Sequence, residues 1–128
     1  MARILLAATD AATADIIAGW LKPAGHEVVR AQDGAAALVA LDQSPVDVLM
    51  TDLHMPYLDG IRLARLARDT PTRPRVLLVL SESWSSSEEA RAREAGVDRL
   101  VQRDALRAET LVKEVESLLR PSAGSNPR

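Results

Sequence analysis

Apolar residues along the chain fall into two kinds of pattern. Continuous runs rich in Leu and Val occupy residues 4–8, 28–31, 46–51, 76–80 and 100–101. The first, third and fourth runs are unbroken rather than alternating, as strands covered on both faces should be. Between the runs the spacing becomes helical. Ile16, Ile17, Trp20 and Leu21 mark one face of a first helix, and Leu38 and Leu41 among alanines mark a second. Ile61, Leu63, Leu66 and Ala67 mark a third, and Ala90, Ala92 and Ala95 a weaker fourth. Leu111, Val112, Val115, Leu118 and Leu119 form the clearest single stripe and predict a fifth.

Turn and cap residues sit where these segments meet. Gly25 follows the first helix, Asp33-Gly34 opens the second, Asp59-Gly60 opens the third and Gly96 closes the fourth. Strict alternation of strand and helix with short connections requires right-handed crossovers and a parallel sheet covered on both faces. The expected fold is therefore α/β, a doubly wound five-stranded parallel sheet of (βα)5 order. Residues 1–119 are expected to form one domain, with residues 120–128 as a flexible tail of turn and linker composition.

Composition narrows the chemistry. Of 128 residues none is Cys and two are His, so a disulfide framework, a thiolate nucleophile and a closed structural zinc site are excluded. Formal net charge is −2, with 18 acidic side chains against 16 Lys and Arg, which gives no sequence-wide footprint for nucleic acid and leaves room for a local basic patch. The opening apolar segment is too short for a signal-peptide core or a membrane span, so a cytoplasmic protein without membrane contact is expected.

In a sheet of this kind the ligand site lies beyond the carboxyl ends of the strands, where the strand order reverses. Those ends carry Ala8, Thr9 and Asp10, then Asp52 and His54, then Ser81 and Glu82, then Gln102, Arg103 and Asp104. Asp52, the Ser81 hydroxyl and the Arg103 guanidinium should converge there, a trio suited to an anion held at or near the carboxylate. Taken alone, Asp52 reads more readily as a turn-forming carboxylate at a strand end.

The segment VDVLMTDLHMPYLDG, residues 46–60, resembles the phosphoacceptor segment of two-component response-regulator receiver domains, and its D-x-x-M-P-x-x-D-G signature fits without a gap. The resemblance continues through residues 25–38, 79–81 and 94–98, and covers roughly residues 3 to 119. It implies a flavodoxin-like fold and a signalling role in a phosphorelay. Asp52 matches the aspartate that accepts phosphate from a histidine kinase or histidine phosphotransfer protein. Ser81 matches the hydroxyl residue that turns toward the phosphoryl group.

Three departures bear on the chemistry. Ala8 and Thr9 stand where the family has an acid pair for Mg²⁺, so the metal site is expected to be weak or absent. Its candidate ligands are Asp52, Asp10, Thr9 and the backbone carbonyl of His54; Asp10 could equally cap the first helix. Arg103-Asp104 replaces the family's Lys-Pro step, keeping a counter-charge but removing the basis for a cis peptide. Leu100 stands where the family has a switching aromatic ring.

From these features Asp52 is expected to pair with Arg103, and phosphoryl transfer to be slowed. No enzymatic activity is expected beyond slow autodephosphorylation, because His54 replaces the second acid that an aspartate-nucleophile phosphatase needs. Output is expected through protein contact at the face of the fourth helix, fifth strand and fifth helix, which in this family also serves homodimers. The alternative is a phosphorylation-independent pseudo-receiver that acts as an interaction module. Trp84 reads either as a partner-contact anchor or as an incidental surface residue, Trp20 as core, and His26 as a turn residue.

Overall fold

The computed structural model describes residues 1–120. Five strands form one parallel sheet in the order β2-β1-β3-β4-β5: β1 (Arg3–Ala7), β2 (Glu27–Ala31), β3 (Val48–Asp52), β4 (Val76–Ser81) and β5 (Arg99–Gln102). The helices are α1 (Ala11–Leu21), α2 (Gly34–Gln43), α3 (Gly60–Arg68), α4 (Ser86–Ala95) and α5 (Ala108–Leu119). Short 3-10 turns, Lys22–Ala24 and Arg103–Ala105, follow α1 and β5. The predicted order and sheet are present. Only Arg120 of the expected tail belongs to the described residues; 121–128 lie outside them.

Period-two geometry divides the core. Ile4 and Leu6 point to one face, where they meet Ile17 and Leu21 of α1 and Leu111 and Val115 of α5. Leu5 and Ala7 point to the other, against Leu41 of α2 and Leu63, Ala64 and Ala67 of α3. A third cluster, Leu53, Ile61, Val79, Ala92 and Ala95, seats α4 beside α3. Every residue of β3 and β4 is buried, as the unbroken apolar runs require, whereas the edge strands β2 and β5 are only partly covered. Each fully buried Leu contributes roughly 1.5–3 kcal/mol relative to its exposed state.

The helix starts follow from side-chain caps. Asp10, Asp33 and Asp59 each accept a backbone N–H from the first turn of α1, α2 and α3. Ser85 and Glu88 form a reciprocal capping box on α4. Gly96 ends α4 at φ 88°, a left-handed geometry that costs glycine little.

Some expectations need correction, among them Ala90, which is exposed on α4 while Ala92 and Ala95 are buried. Ile16 is 55% exposed, while its neighbour Ile17 is buried. α1 is apolar nearly all round, AATADIIAGWL, so spacing alone cannot choose which isoleucine faces inward. Leu66 is 40% exposed because it stands outside the stripe Ile61, Leu63, Ala64 and Ala67. His26 stands in the turn before β2, as expected, and its side chain is buried there: its Nδ1 accepts the Ala2 N–H at 3.1 Å, and its Nε2 lies 3.4 Å from Glu116 Oε2. Trp84 is half-buried against the third cluster, Leu53, Ile61, Val79, Ala92 and Ala95, so it packs on the core as well as reaching the surface.

Candidate functional site at the carboxyl edge of the sheet

The strand order reverses between β1 and β3, and the crevice beyond their carboxyl ends is where a doubly wound sheet binds ligands. Asp52, the last residue of β3, lies there with only 4% of its surface exposed. The close approach of α3 holds it in place. Gly60 donates its N–H to Leu53 O at 2.8 Å, and a Cβ on Gly60 would fall 2.1 Å from the Asp52 carbonyl oxygen. Only glycine fits at that position without moving the strand end.

The two carboxylate oxygens of Asp52 differ in surroundings. Oδ2 accepts the Thr9 N–H at 3.3 Å. Oδ1 is buried with no hydrogen-bond partner, and the Arg103 Nη1 lies 3.6 Å from it, too long for a direct hydrogen bond. The expected pairing of Asp52 with Arg103 is thus present as an ion pair. Burial raises the Asp52 pKa above the ordinary carboxylate value, against the opposing Thr9 amide and the Arg103 charge, and with a smaller push from Asp10. Arg103 is itself shared, since its Nη2 reaches Glu82 Oε2 at 3.3 Å.

Ser81, the last residue of β4, is buried beside this edge, and its hydroxyl donates to Ser83 O at 2.7 Å rather than to Asp52. Asp10 is turned to α1. Its Oδ2 accepts the Thr13 hydroxyl at 2.7 Å and its Oδ1 the Ala12 N–H at 3.1 Å, and these bonds lower its pKa. Of the two readings of Asp10, helix capping is the one the geometry adopts. The His54 ring is exposed and lies 3.3 Å from Glu88 Oε2. Arg103 and Asp104 open a 3-10 turn, and no peptide bond among the described residues is cis.

These donors do not fit Mg²⁺, a hard cation that relies on carboxylates and needs near-octahedral oxygen ligands. Asp52 brings the one carboxylate free to serve, Asp10 is engaged in capping, and a guanidinium faces the open oxygen. Among the described residues no group of three or more His, Asp or Glu is placed to hold a metal ion.

Glu82 joins the site, and Tyr57 is a backbone feature of the loop that follows Asp52. Glu82 stands at a strand end in the sequence, but its pairing with Arg103 depends on how β4 and β5 lie side by side, which spacing does not reveal. Tyr57, in the loop after β3, is fully exposed and has φ 69°, unusual for a residue with a Cβ. The non-glycine left-handed position has no sequence signal.

The family model for the response regulator receiver domain matches residues 4–116. A gliding motility regulatory protein of Myxococcus xanthus is 35% identical over 99 residues, which are 77% of this chain and 13% of that protein. The response regulator receiver protein CpdR of Brucella abortus is 41% identical over 69 residues, 54% of this chain and 58% of that protein. The chain thus spans less than two thirds of the length of either relative. The receiver domain of a Francisella response regulator superposes with a TM-score of 0.82 at 26% identity, over 93% of this chain and 97% of that one. Among the described residues no helix is long and apolar enough to cross a membrane.

Proposed function

Because the chain belongs to the response regulator receiver domain family, with a flavodoxin-like fold, we propose that Asp52 is its phosphoacceptor. The observation that carries this reading is the state of Oδ1: a buried carboxylate oxygen at the switch point of the sheet, with no hydrogen bond and a cation 3.6 Å away. Native folds rarely leave such an oxygen unused without a chemical reason.

The donor is a phosphohistidine on a histidine kinase or a histidine phosphotransfer protein. Asp52 Oδ1 attacks the phosphorus, a P–O bond forms as the P–N bond breaks, and the departing imidazole takes a proton from solvent. Positioning and neutralisation of developing charge govern such a transfer. Here Arg103 supplies the fixed positive charge and the Thr9 amide orients the carboxylate. Ser81 rotates from Ser83 O toward the new phosphoryl oxygens. The same guanidinium stabilises the resting carboxylate, so transfer is slow, Mg²⁺ contributes little, and the only catalysis is slow autodephosphorylation.

Output runs through protein contact at the face made by α4, β5 and α5, where a second copy of the chain can also dock, and the domain acts in the cytoplasm. Phosphorylation shifts a two-state equilibrium of that face. Leu100 has no ring to swing, so the signal travels through Arg103 and the loops it joins.

Intact mass after incubation with acetyl phosphate tests the reading, with and without Mg²⁺, and with Asp52→Asn as control. One phosphoryl adduct, lost in the variant and little changed by Mg²⁺, is expected. A folded protein that gains no adduct refutes the phosphoacceptor reading and leaves the pseudo-receiver.

A further inference from the structure

Away from the Asp52 site, the outer surface of α3 has a charge pattern that the fold does not need. The helix reads GIRLARLAR, with Arg62, Arg65 and Arg68 three residues apart and no acid among them. Like charges at that spacing destabilise a helix. Arg3, Arg30, Arg91, Arg93, Arg99 and Arg103 each pair with a carboxylate, while Arg75 and Arg107 donate to backbone carbonyls. Arg62 and Arg65 form no ion pair among the described residues, in a chain whose net charge is negative. A local rule broken without benefit to the fold marks a surface under another demand.

These arginines border a cleft of about 320 Å³ between α3 and α4, lined by Ile61, Arg62, Arg65, Leu66 and Arg91. No carboxylate lines it, although Asp59 lies 3.5 Å from Arg91 Nη2 at one end. Arg68 of α3 donates to Glu94 O of α4 at 3.1 Å and links the two helices. Its floor is aliphatic, with Ile61 buried and Leu66 40% exposed.

We propose that this cleft docks an acidic, extended segment of a partner protein, with carboxylates on Arg62, Arg65 and Arg91 and an aliphatic side chain on Leu66. Guanidinium forks match carboxylates two bonds at a time. Arg62 and Arg65, about 4.5 Å apart in helix rise, are spaced to meet carboxylates on successive residues of an extended chain, and phosphate competition separates that from one shared anion. No aromatic ring lines the cleft to stack a base, and the net negative charge of the chain opposes nucleic acid. The exposed leucine adds an apolar contact that a bare anion would not use.

The test is fluorescence anisotropy of a labelled peptide of alternating Glu and Leu, titrated with the full chain at low and at physiological salt. An oligothymidylate serves as the second probe and inorganic phosphate as competitor. Saturable binding of the peptide is expected, weakened about tenfold by the double variant Arg62→Glu, Arg65→Glu and weakened by salt, but unchanged by Arg73→Glu on an exposed loop outside the cleft. Circular dichroism verifies the fold of each variant, and Arg62→Gln, Arg65→Gln gives the same reading should the charge reversal fail to fold. The proposal is overturned by absence of saturable binding, by an equal loss in Arg73→Glu, by tighter binding of the oligothymidylate, or by phosphate displacing the peptide at equal concentration.

Discussion

The two ends of the sheet treat their carboxylates differently. At the amino edge, Asp47 Oδ2 accepts the Arg3 N–H and Asp98 Oδ2 accepts the Leu77 N–H, both at 2.8 Å. Each satisfies a backbone donor at the start of a strand, Arg3 as the first residue of β1 and Leu77 as the second of β4, and so ties a loop to the neighbouring strand. At the carboxyl edge, Asp52 has one weak amide contact at 3.3 Å and leaves Oδ1 without a hydrogen bond. The first arrangement stabilises the fold. The second leaves a buried charge poorly solvated, which lowers stability.

Substitutions should divide along the same line. The largest effect is expected from Gly60→Ala, whose Cβ would fall 2.1 Å from the Asp52 carbonyl oxygen. Chemical denaturation should show a loss of about 3 kcal/mol, typical of severe overpacking. A loss under about 1 kcal/mol would mean that α3 does not need this approach. Next comes Asp98→Ala, which strips the acceptor from a partly buried amide and should cost about 1–2 kcal/mol in the same assay.

Asp52→Asn should carry the opposite sign, stabilising the protein by about 1 kcal/mol at neutral pH. Because the folded pKa of Asp52 is raised, the protonated acid is favoured in the fold. Its stabilising contribution is complete below the unfolded value of 3.8 and is lost as pH rises through the higher folded value. The advantage of the Asn variant should therefore vanish in acid and grow through that window. Melting temperatures of both proteins across pH would reveal a constant offset if the account were wrong. The smallest effect is reserved for Arg93→Ala, which removes an exposed pair with Glu89 one helical turn away and should change stability by less than about 0.5 kcal/mol.

How far the sequence foretold this depends on the kind of interaction. Strand runs, the Asp caps and Gly96 are local signals, and each element they mark is present. The Asp52–Arg103 pair was legible because strand ends in a parallel sheet gather at one edge. Facing was harder. Ile16 and Ile17 are adjacent on an almost wholly apolar helix, and only packing against α5 and the sheet distinguishes them. The burial of His26 depends on contacts with Ala2 and Glu116, both distant in the chain. Asp10 offered two roles one residue from the expected acid pair, and the free amide of α1 took its carboxylate. Trp84 packs against a cluster drawn from several elements, among them Val79 of β4 and Ala92 of α4, which no local pattern encodes.

A site-resolved carbon NMR titration of the Asp52 carboxyl group in the full chain tests the contrast most directly. The account predicts a midpoint above the ordinary carboxylate value, moving higher still in Arg103→Gln, where the counter-charge 3.6 Å from Oδ1 is removed. A midpoint at or below the ordinary value, or one indifferent to Arg103, would contradict the account of Asp52 as a poorly satisfied carboxylate held ready by a single cation.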